Sequence, residues 1–361
     1  MRGRITIVGL ALALLPAAPA AARPVPHGFM GVVAGAQLLE HPSRIPGEFR
    51  AMRRAGVQSV KAEFVWRRIE PAKGTYDWSV TDAVVRTAAR EGFSVLPTVL
   101  QAPDWATGPE DAGQAIRHSQ DPDDYGRFLI TLVRRYGPQG TFWATHPHLH
   151  KLPVRAWEIW NEPELYHWWK PPWLDPYVQL LKSAHHAVKA ADPHAKIVLA
   201  GLTFESWKDL RRLYAHGARR YFDVVSLHPY THFPANVIKT VAYVRRVMRR
   251  HHDPRKPIWI TELAWTSGKG RTANVKSQPN FLNSTPKGQA TLLRRAYLAL
   301  ARDRMRYNVR RVYWYTWLTR DRSRRDPFDY SGLRFIRKGH VHSKPALTAF
   351  ARVARRLEAR R

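Results

Sequence analysis

The sequence predicts an α/β fold in a single domain, of the (β/α)₈ TIM barrel type. Its 361 residues, 44% apolar and 24% charged, are typical of a globular chain. Strand-like and helix-like segments alternate along it, and eight strands can be counted, each followed by a helix. An open doubly wound sheet is the competing topology, but it usually carries a glycine-rich phosphate turn after its first strand. The segment from Gly31 to Gly35 lacks that pattern.

Short apolar runs predict the strands, and amphipathic runs with a stop signal predict the helices. The predicted strands are Phe29–Ala34, Val57–Trp66, Phe93–Leu100, Val154–Trp160, Lys196–Leu202, Phe222–Leu227, Pro257–Leu263 and Val309–Trp317. The predicted helices are Glu48–Ala55, Trp78–Arg90, Asp121–Tyr136, Pro176–Ala191, Glu205–Gly217, Ala235–His252, Pro286–Arg304 and Lys344–Leu357. A long polar loop, Gln101 to Gln120, follows the third strand.

Residues 1–22 are predicted to be a secretory signal, followed by the folded domain at residues 23–361. Arg2 and Arg4 supply its positive end, Ile5 to Leu15 its apolar stretch, and Ala20 to Ala22 a small-residue cleavage site. The apolar stretch is too short to cross a bilayer. We therefore expect a secreted protein, extracellular or associated with the cell envelope, without stable membrane insertion. Retention as an uncleaved anchor is the alternative.

The composition excludes several classes of site. The chain has no cysteine, which rules out disulfides and thiol nucleophiles. Its 59 Lys and Arg against 28 Asp and Glu give a net charge of +31, which favours polyanionic partners. No nucleic-acid motif accompanies this charge, so no nucleic-acid partner is predicted. His146, His148 and His150 alternate in a loop without acidic neighbours, so neither a metal nor a cofactor is predicted.

Two glutamates stand at the ends of predicted strands. Glu162 follows the fourth strand, which Pro163 terminates, and Glu262 is near the end of the seventh. Alternation places Glu262 on one face with Ile258 and Ile260. Barrel enzymes carry their chemistry at this end of the strands. A pair of carboxylates is what glycosidic cleavage needs, at about 5–5.5 Å for retention or about 6.5–9.5 Å for inversion.

The segment Trp160-Asn161-Glu162-Pro163, combined with Ile260-Thr261-Glu262, resembles the retaining glycoside hydrolases of clan A. The likeness is strongest to family 39 and its bacterial cellulase-like relatives, and it covers nearly the whole chain after residue 22. The supporting segments, in the same order, are Trp66–Pro71, Gly74–Trp78, Gly137–Trp143, Ser226–Tyr230, Gly332–Leu333 and Lys344–Ala346. The resemblance implies an O-glycosyl hydrolase acting on a β-linked oligo- or polysaccharide.

The resemblance also implies roles for single residues. Glu162 would be the general acid/base and Glu262 the nucleophile. Asn161 would hydrogen-bond the sugar 2-hydroxyl, and Tyr230 would hold the nucleophile. Lys61 stands on the second strand where these families often have arginine, and it is included among the substrate-binding candidates.

Histidine and tryptophan residues complete the predicted cleft. His228 shares strand parity with Ser226 and is expected at the barrel mouth, with a buried core histidine as the alternative. Trp317 is favoured as the sugar platform. Trp66 and Trp105 are candidate cleft walls, with core packing as the alternative for each. A further group in the loop after strand four would either line an outer subsite or pin that loop: Trp168, Trp169 and Trp173.

Three functions stay open from the sequence. The favoured one is a secreted retaining glycoside hydrolase, expected to be a monomer because the chain has no coiled-coil heptads. The others are an exported carbohydrate-binding protein without turnover, and a polyanion-binding protein that uses the barrel as a scaffold. The net charge of +31 adds the hypothesis that the polysaccharide is acidic.

Overall fold

The structure is a computed structural model that describes residues 24–107, 121–273 and 279–358. The predicted secretory signal lies outside the described residues, as does most of the predicted loop Gln101 to Gln120. The strands are β1 (Met30–Val33), β2 (Ser59–Val65), β3 (Ser94–Leu100), β4 (Ala156–Ile159), β5 (Lys196–Val198), β6 (Leu202–Thr203), β7 (Val225–His228), β8 (Ile258–Leu263), β9 (Val309–Trp314), β10 (Leu318–Thr319), β11 (Arg334–Arg337) and β12 (His340–Ser343).

The helices cover the sheet and begin and end at the signals that the sequence provides. They are α1 (Ala36–Leu39), α2 (Ile45–Arg54), α3 (Trp66–Ile69), α4 (Ser79–Glu91), α5 (Pro122–Tyr136), α6 (Thr141–Ala144), α7 (Leu174–Ala191), α8 (Ser206–Ala215), α9 (Pro234–Arg250), α10 (Pro286–Tyr307) and α11 (Pro345–Glu358). Helix α5 begins where the Asp121 carboxylate accepts a hydrogen bond from the Asp123 backbone N–H. Helix α4 ends at Gly92, whose φ of 78° is left-handed.

A parallel sheet of nine strands runs in the order β5-β4-β3-β2-β1-β9-β8-β7-β6. Its end strands, β5 and β6, follow each other in the chain, so the sheet curls back on itself. Backbone hydrogen bonds also link β5 and the residue after it to the two residues before β7: Asp223 N–H donates to Ile197 O at 2.8 Å, and Leu199 N–H donates to Val224 O at 3.0 Å. The predicted α/β class is confirmed, and the curled sheet is consistent with the predicted barrel.

The predicted strands have counterparts within a few residues, with two differences. The predicted strand Lys196–Leu202 is divided into β5 and β6, and the last predicted strand ends at Trp314 rather than Trp317. A second sheet, β10-β11-β12, was not predicted. Its hairpin turns through Lys338 and Gly339, which have φ values of 49° and 78°. Two successive positive φ values are typical of a two-residue hairpin, and the Lys-Gly pair was the signal for it.

The side chains inside the curled sheet change from apolar to polar along the strands. A buried apolar cluster contains Leu96 and Trp259, which lie near the amino ends of β3 and β8. Further along the same strands the buried residues are polar, among them Thr98 and Thr261. A much larger apolar cluster joins the sheet to its helices. No helix in the described ranges combines the length and apolar character needed to cross a membrane.

Strand β8 is irregular just before its end. Ile258 and Ile260 belong to the outer apolar cluster, whereas Trp259 belongs to the inner one. The register of β8 against β9 then shifts between Ile260 and Leu263. Such an irregularity changes the direction in which side chains point. The expectation that Glu262 shares a face with Ile258 and Ile260 is therefore wrong, because Glu262 points into the polar interior.

Candidate active site

Glu162 follows β4 in a turn of unusual backbone geometry. Trp160 has a φ of 71° and Glu162 a φ of 44°, both in the left-handed region that side chains rarely adopt. Such residues cost about 1–3 kcal/mol each and persist where the surroundings hold them. The Trp160 indole donates to Trp168 O at 3.0 Å, and its ring lies 5.2 Å from that of Trp169. This packing fixes the turn that presents Glu162.

Glu262 is held by two donors. The Tyr230 hydroxyl donates to Oε2 at 2.6 Å, the contact that the resemblance implies, and Lys61 Nζ donates to Oε1 at 3.0 Å. Both glutamates are buried, each 7% exposed. One oxygen of Glu162 and one of Glu262 lie within 4.8 Å of each other. The structure therefore brings together the two carboxylates that the sequence placed on separate strands.

Lys61 is buried between Glu262 and a second carboxylate, Glu158. Its Nζ lies 2.9 Å from Glu158 Oε2, which also accepts a hydrogen bond from Thr98 at 2.6 Å. Ser226 donates to the other Glu158 oxygen at 2.8 Å. Burial lowers the pKa of Lys61, but the charges of Glu158 and Glu262 outweigh it and raise that pKa above its ordinary value. At 1% exposure Lys61 is inaccessible to substrate, contrary to its prediction as a binding residue.

His228 is a positioning residue rather than a substrate contact, because it is completely buried. Its Nε2 lies 3.4 Å from Lys61 Nζ, and an ammonium only donates hydrogen bonds. Nε2 is therefore the acceptor, and Nδ1 carries the proton. Nδ1 lies 2.5 Å from Glu162 Oε1, to which it donates. Burial, reinforced by the Lys61 charge, holds the pKa of His228 well below its usual range, so the ring is neutral.

The environment of Glu162 suits a proton donor. Burial raises the pKa of Glu162 well above its ordinary value, and the negative charge of Glu262 adds to this effect. Lys61 opposes the shift without making a direct contact with Glu162. Since His228 occupies Oε1, the acidic proton is free to reside on Oε2. These surroundings therefore favour the protonated form of Glu162.

A fourth carboxyl group, Glu63, lies close to Glu262 and was missed by the sequence analysis. Burial raises the pKa of Glu63, and the Glu262 charge contributes. Glu63 lines a cavity of about 480 Å³, together with Glu40, Arg67 and Gln101 among others. The missed signal was the alternation of side chains along β2. Glu63 stands two residues after Lys61, so both side chains point to the inside of the sheet.

The aromatic residues after β9 differ from the expectation. Trp317 was predicted as the sugar platform, but it is completely buried and its indole donates to Glu48 Oε2 at 2.7 Å. Its backbone N–H donates to Val33 O, so it packs between β1 and α2. Tyr315 is the partly exposed aromatic residue here, and burial raises the pKa of its hydroxyl, with a smaller contribution from the Glu262 charge. Tyr315 therefore replaces Trp317 as the candidate platform.

The two predicted cleft walls have different positions. Trp66 is completely buried, stacks on Phe128 at 5.1 Å and donates to Glu70 Oε2, so it is a core residue. Trp105 remains partly exposed and packs edge-on against Trp66 at 5.5 Å. It stays a candidate wall. Asn161 is 6% exposed beside Glu162, where its role at a sugar hydroxyl remains a prediction.

The tryptophans in the loop after β4 mostly pin that loop. Trp169 is buried and packs against Trp160 and Tyr177, and Trp173 also contacts Tyr177. Trp168 differs, because its ring is partly exposed, although its indole nitrogen is buried. Its place in an outer subsite stays a prediction.

Within the described residues, one set of acidic and histidine side chains converges closely enough to hold a metal ion: Glu162, His228 and Glu262. Its donor atoms are already engaged, since His228 Nδ1 contacts Glu162 and Tyr230 contacts Glu262. We therefore assign this set to hydrogen bonding between catalytic groups. The histidine run at 146–150 does not form such a set in the described part of the chain.

Comparison with known proteins gives matches to glycoside hydrolases. A beta-galactosidase family model matches residues 40–110, and a glycosyl hydrolase catalytic core model matches residues 180–325. A beta-xylosidase of Geobacillus stearothermophilus is 30% identical over 276 residues, which are 65% of this chain and 51% of that enzyme. The chain thus spans about half the length of this curated relative.

Solved structures share the fold. A family 39 glycoside hydrolase from the gut symbiont Bacteroides cellulosilyticus has a TM-score of 0.69 and 22% identity, covering 92% of this chain and 64% of its own. A monomeric beta-xylosidase from Caulobacter crescentus has a TM-score of 0.65 and 18% identity, covering 92% and 69%.

These matches are all to glycoside hydrolases, so the resemblance predicted from the sequence is confirmed. Within that class, the chain is similar in sequence to a beta-xylosidase and similar in fold to family 39 enzymes.

Gly201 provides the space that His228 occupies. A Cβ on Gly201 would lie 1.9 Å from His228 Nε2, so Gly201→Ala must displace the ring from Glu162. We expect about 1–3 kcal/mol loss of unfolding free energy from overpacking. We also expect a drop of at least about tenfold in kcat on an aryl β-glycoside, since His228 orients the proton donor. Gly47→Ala is the control, because nothing lies within 4 Å of its Cβ. Full activity in Gly201→Ala would contradict the positioning role of His228.

Lys61→Met should damage both stability and activity. Removing one member of a buried ion pair costs about 3–5 kcal/mol, measured by denaturant unfolding. We expect kcat to fall by about a hundredfold or more, because Glu262 loses a positioning donor. Lys344→Met is the matched control: Lys344 is equally buried and pairs with Asp321 at 2.8 Å, without contacting either glutamate. If both variants lose the same activity, Lys61 has only a structural role.

Proposed function

We propose that this protein is an O-glycosyl hydrolase that cleaves β-linked oligo- or polysaccharides with retention of configuration. The observation that carries the proposal is the short distance between the two carboxyl groups: one oxygen of Glu162 lies within 4.8 Å of one oxygen of Glu262. Retaining enzymes hold their two carboxyl groups about 5–5.5 Å apart, whereas inverting enzymes need about 6.5–9.5 Å to admit a water. The sequence likeness to glycoside hydrolases supports the same reaction class.

In this proposal the curled sheet is the predicted (β/α)₈ barrel, with β5 and β6 together forming its fifth strand. The hydrogen bonds from Asp223 to Ile197 and from Leu199 to Val224 support closure. A closed barrel gathers the carboxyl ends of all its strands at one mouth. Residues from β2, β4, β7 and β8 then converge on a single substrate.

The first step joins the sugar to the protein. The Glu262 carboxylate, oriented by Tyr230 and Lys61, attacks the anomeric carbon. Glu162 delivers its proton to the leaving oxygen as the glycosidic bond breaks. The raised pKa of Glu162 keeps that proton available, and the His228 N–H fixes the carboxyl group that carries it.

The second step releases the sugar. Glu162 has become a carboxylate after losing its proton, and it now removes a proton from an attacking water. The water oxygen bonds to the anomeric carbon, and the ester to Glu262 breaks. Two inversions at one carbon give net retention.

The substrate we propose to test first is a β-xyloside, since the curated relative is a beta-xylosidase. Glu63 lines a cavity of about 480 Å³, and its carboxyl group is close enough to Glu262 to feel the charge of that residue. A carboxyl group in this position can accept a hydrogen bond from a sugar hydroxyl. We assign Glu63 to contact with the sugar that becomes attached to Glu262.

Proton NMR of the initial product tests retention directly. Hydrolysis of an aryl β-xyloside should release the β-anomer first, with the α-anomer appearing only through mutarotation. Glu262→Gln should lose activity by at least about a thousandfold, because it removes the nucleophile. Glu40→Gln, an exposed carboxylate on the same cavity, should keep near-normal activity. An initial α-anomer would contradict the mechanism, as would undiminished turnover by Glu262→Gln.

The role of Glu162 can be separated by leaving-group chemistry. Glu162→Gln should lose about a hundredfold to ten-thousandfold in kcat/KM on alkyl or oligosaccharide substrates, which need a proton on the leaving oxygen. Dinitrophenyl glycosides need no such proton and should be cleaved to the enzyme-bound intermediate at nearly the normal rate.

The pH profile gives a second readout of Glu162. Wild-type kcat/KM should fall as pH rises through the raised pKa of Glu162, because the acid loses its proton. This alkaline limb should disappear in Glu162→Gln with the dinitrophenyl substrate. An alkaline limb unchanged in the variant would assign the acid to another residue.

A further inference from the structure

A second cavity, of about 760 Å³, opens at the same end of the sheet as the two glutamates. Its walls come from α1 and the segment after it, from the loop after β8, and from the chain after β9. We call it the cationic pocket, since six of its lining side chains are basic: Arg44, Arg271, Arg320, Arg322, Arg337 and Lys338.

The carboxylates next to the cationic pocket are engaged by other groups, since Asp329 accepts hydrogen bonds from the backbone N–H groups of Arg320, Arg322 and Ser323. Asp321 is the acidic residue of the lining, and it pairs with buried Lys344 at 2.8 Å. Arg320 donates to the neutral Gln37 side chain at 2.6 Å, and Arg271 lies over the Tyr330 ring at 4.6 Å. In the described part of the chain, none of the six basic side chains forms an ion pair with a carboxylate.

One layer of aromatic side chains separates the cationic pocket from the active site. Arg271 packs on Tyr330, and Phe328 belongs to the same turn. The Phe328 ring lies 5.1 Å from that of Tyr230 and 5.5 Å from that of Tyr315. Tyr230 in turn holds the nucleophile. Helix α1 lies between this pocket and the cavity of Glu63, since its residues line both.

We propose that the cationic pocket binds an anionic substituent of the glycan, the carboxylate of a uronic acid or a sulfate ester, beyond the sugar that is cleaved. This inference rests on the proposed function and names its substrate class. Guanidinium groups bind carboxylate and sulfate oxygens through paired hydrogen bonds. The pocket adjoins the catalytic cleft, so one glycan chain can occupy both.

A nucleic acid fits these features less well. Single-stranded nucleic acids are bound in basic grooves with several aromatic platforms for successive bases. The cationic pocket has one aromatic residue in its lining, Phe335. Its concave shape suits a few anionic groups rather than an extended phosphate backbone.

A second basic groove on the protein serves as a control for the effect of net positive charge on binding. A groove of about 450 Å³ between α8 and α9 is also rich in basic residues, including Arg211, Arg246 and Arg250. It lies on the outer helices, away from the carboxyl ends of the strands. Losing three charges there changes the net charge as much as losing three in the cationic pocket.

The test compares two triple variants. The pocket variant carries Arg320→Gln, Arg322→Gln and Arg337→Gln, and the control variant carries the same change at the three arginines of the outer groove. Each is combined with Glu262→Gln to prevent turnover. Calorimetry at low salt measures binding of glucuronoxylan fragments, sulfated xylan fragments and neutral xylohexaose, with duplex DNA and phosphatidylglycerol vesicles as further probes.

We expect the pocket variant to bind at least one acidic glycan about tenfold more weakly, and the control variant to stay within about twofold. Xylohexaose binding should not change. The acidic glycan that loses affinity distinguishes a carboxylate from a sulfate ligand. Equal losses in both variants would overturn the proposal, as would a loss confined to DNA or to vesicles.

Activity separates this inference from the proposed function. Without the Glu262 change, the pocket variant should hydrolyse a neutral aryl β-xyloside at the normal rate and lose kcat/KM on the acidic glycan. The wild-type protein could instead bind an acidic glycan through the pocket and cleave no glycoside. That result would overturn the proposed hydrolase activity and retain the proposal for the cationic pocket. If the pocket variant hydrolyses every acidic glycan as fast as the wild type does, the proposal for the cationic pocket is overturned and the proposed hydrolase activity is retained.

Discussion

The ammonium group of Lys61 lies between two buried carboxylates, those of Glu158 and Glu262, and the arrangement of the active site depends on it. Burying a carboxylate without a partner is strongly unfavourable. The three protons of Lys61 match its three neighbours, which are these two glutamates and His228 Nε2. The contact of the same cation with His228 Nε2 leaves the proton of the ring on Nδ1, the nitrogen that faces Glu162. In the proposed mechanism, one lysine thus positions the nucleophile directly and the proton donor indirectly.

This arrangement gives two chemically identical side chains different tasks. Glu262 contacts the Lys61 cation and the Tyr230 hydroxyl. Glu162 contacts only the neutral His228 among these groups, and both burial and the charge of Glu262 favour its protonated form. Two carboxyl groups whose surroundings differ in this way divide into acid and nucleophile. The difference comes from one contact with a cation rather than from the glutamates themselves.

The sequence predicted the parts of this site that depend on strand order. Glu162 and Glu262 come together because parallel strands end at one edge of the sheet, and alternation along β7 correctly placed His228 inside it. The direction of Glu262 was predicted for the wrong reason, since it depends on the register shift between Ile260 and Leu263. Such a shift arises from pairing with β9, and no local pattern in β8 indicates it.

Prediction also failed where a strand ends and tertiary packing takes over. Tyr315 and Trp317 are both aromatic residues that follow β9, and the sequence analysis favoured Trp317 as the sugar platform. The indole N–H of Trp317 instead donates a hydrogen bond to the carboxylate of Glu48 on α2. A sequence shows which aromatic residues follow a strand, but not which of them a distant helix will bury. The exposure of Tyr315 follows from that competition.

The charge of the protein is divided between the centre of the site and its rim. Glu63, Glu158, Glu162 and Glu262 meet one cation in the centre, Lys61, whereas unpaired arginines line the neighbouring cationic pocket. An anionic sugar at the point of cleavage would face these carboxyl groups, and like charges repel strongly where water is excluded. An anionic group that helps binding must therefore lie away from the cleaved bond. The separation of the cationic pocket from Glu262 by the aromatic layer of Tyr230 and Phe328 meets this requirement, so a net charge of +31 is compatible with an acid-and-nucleophile pair of glutamates.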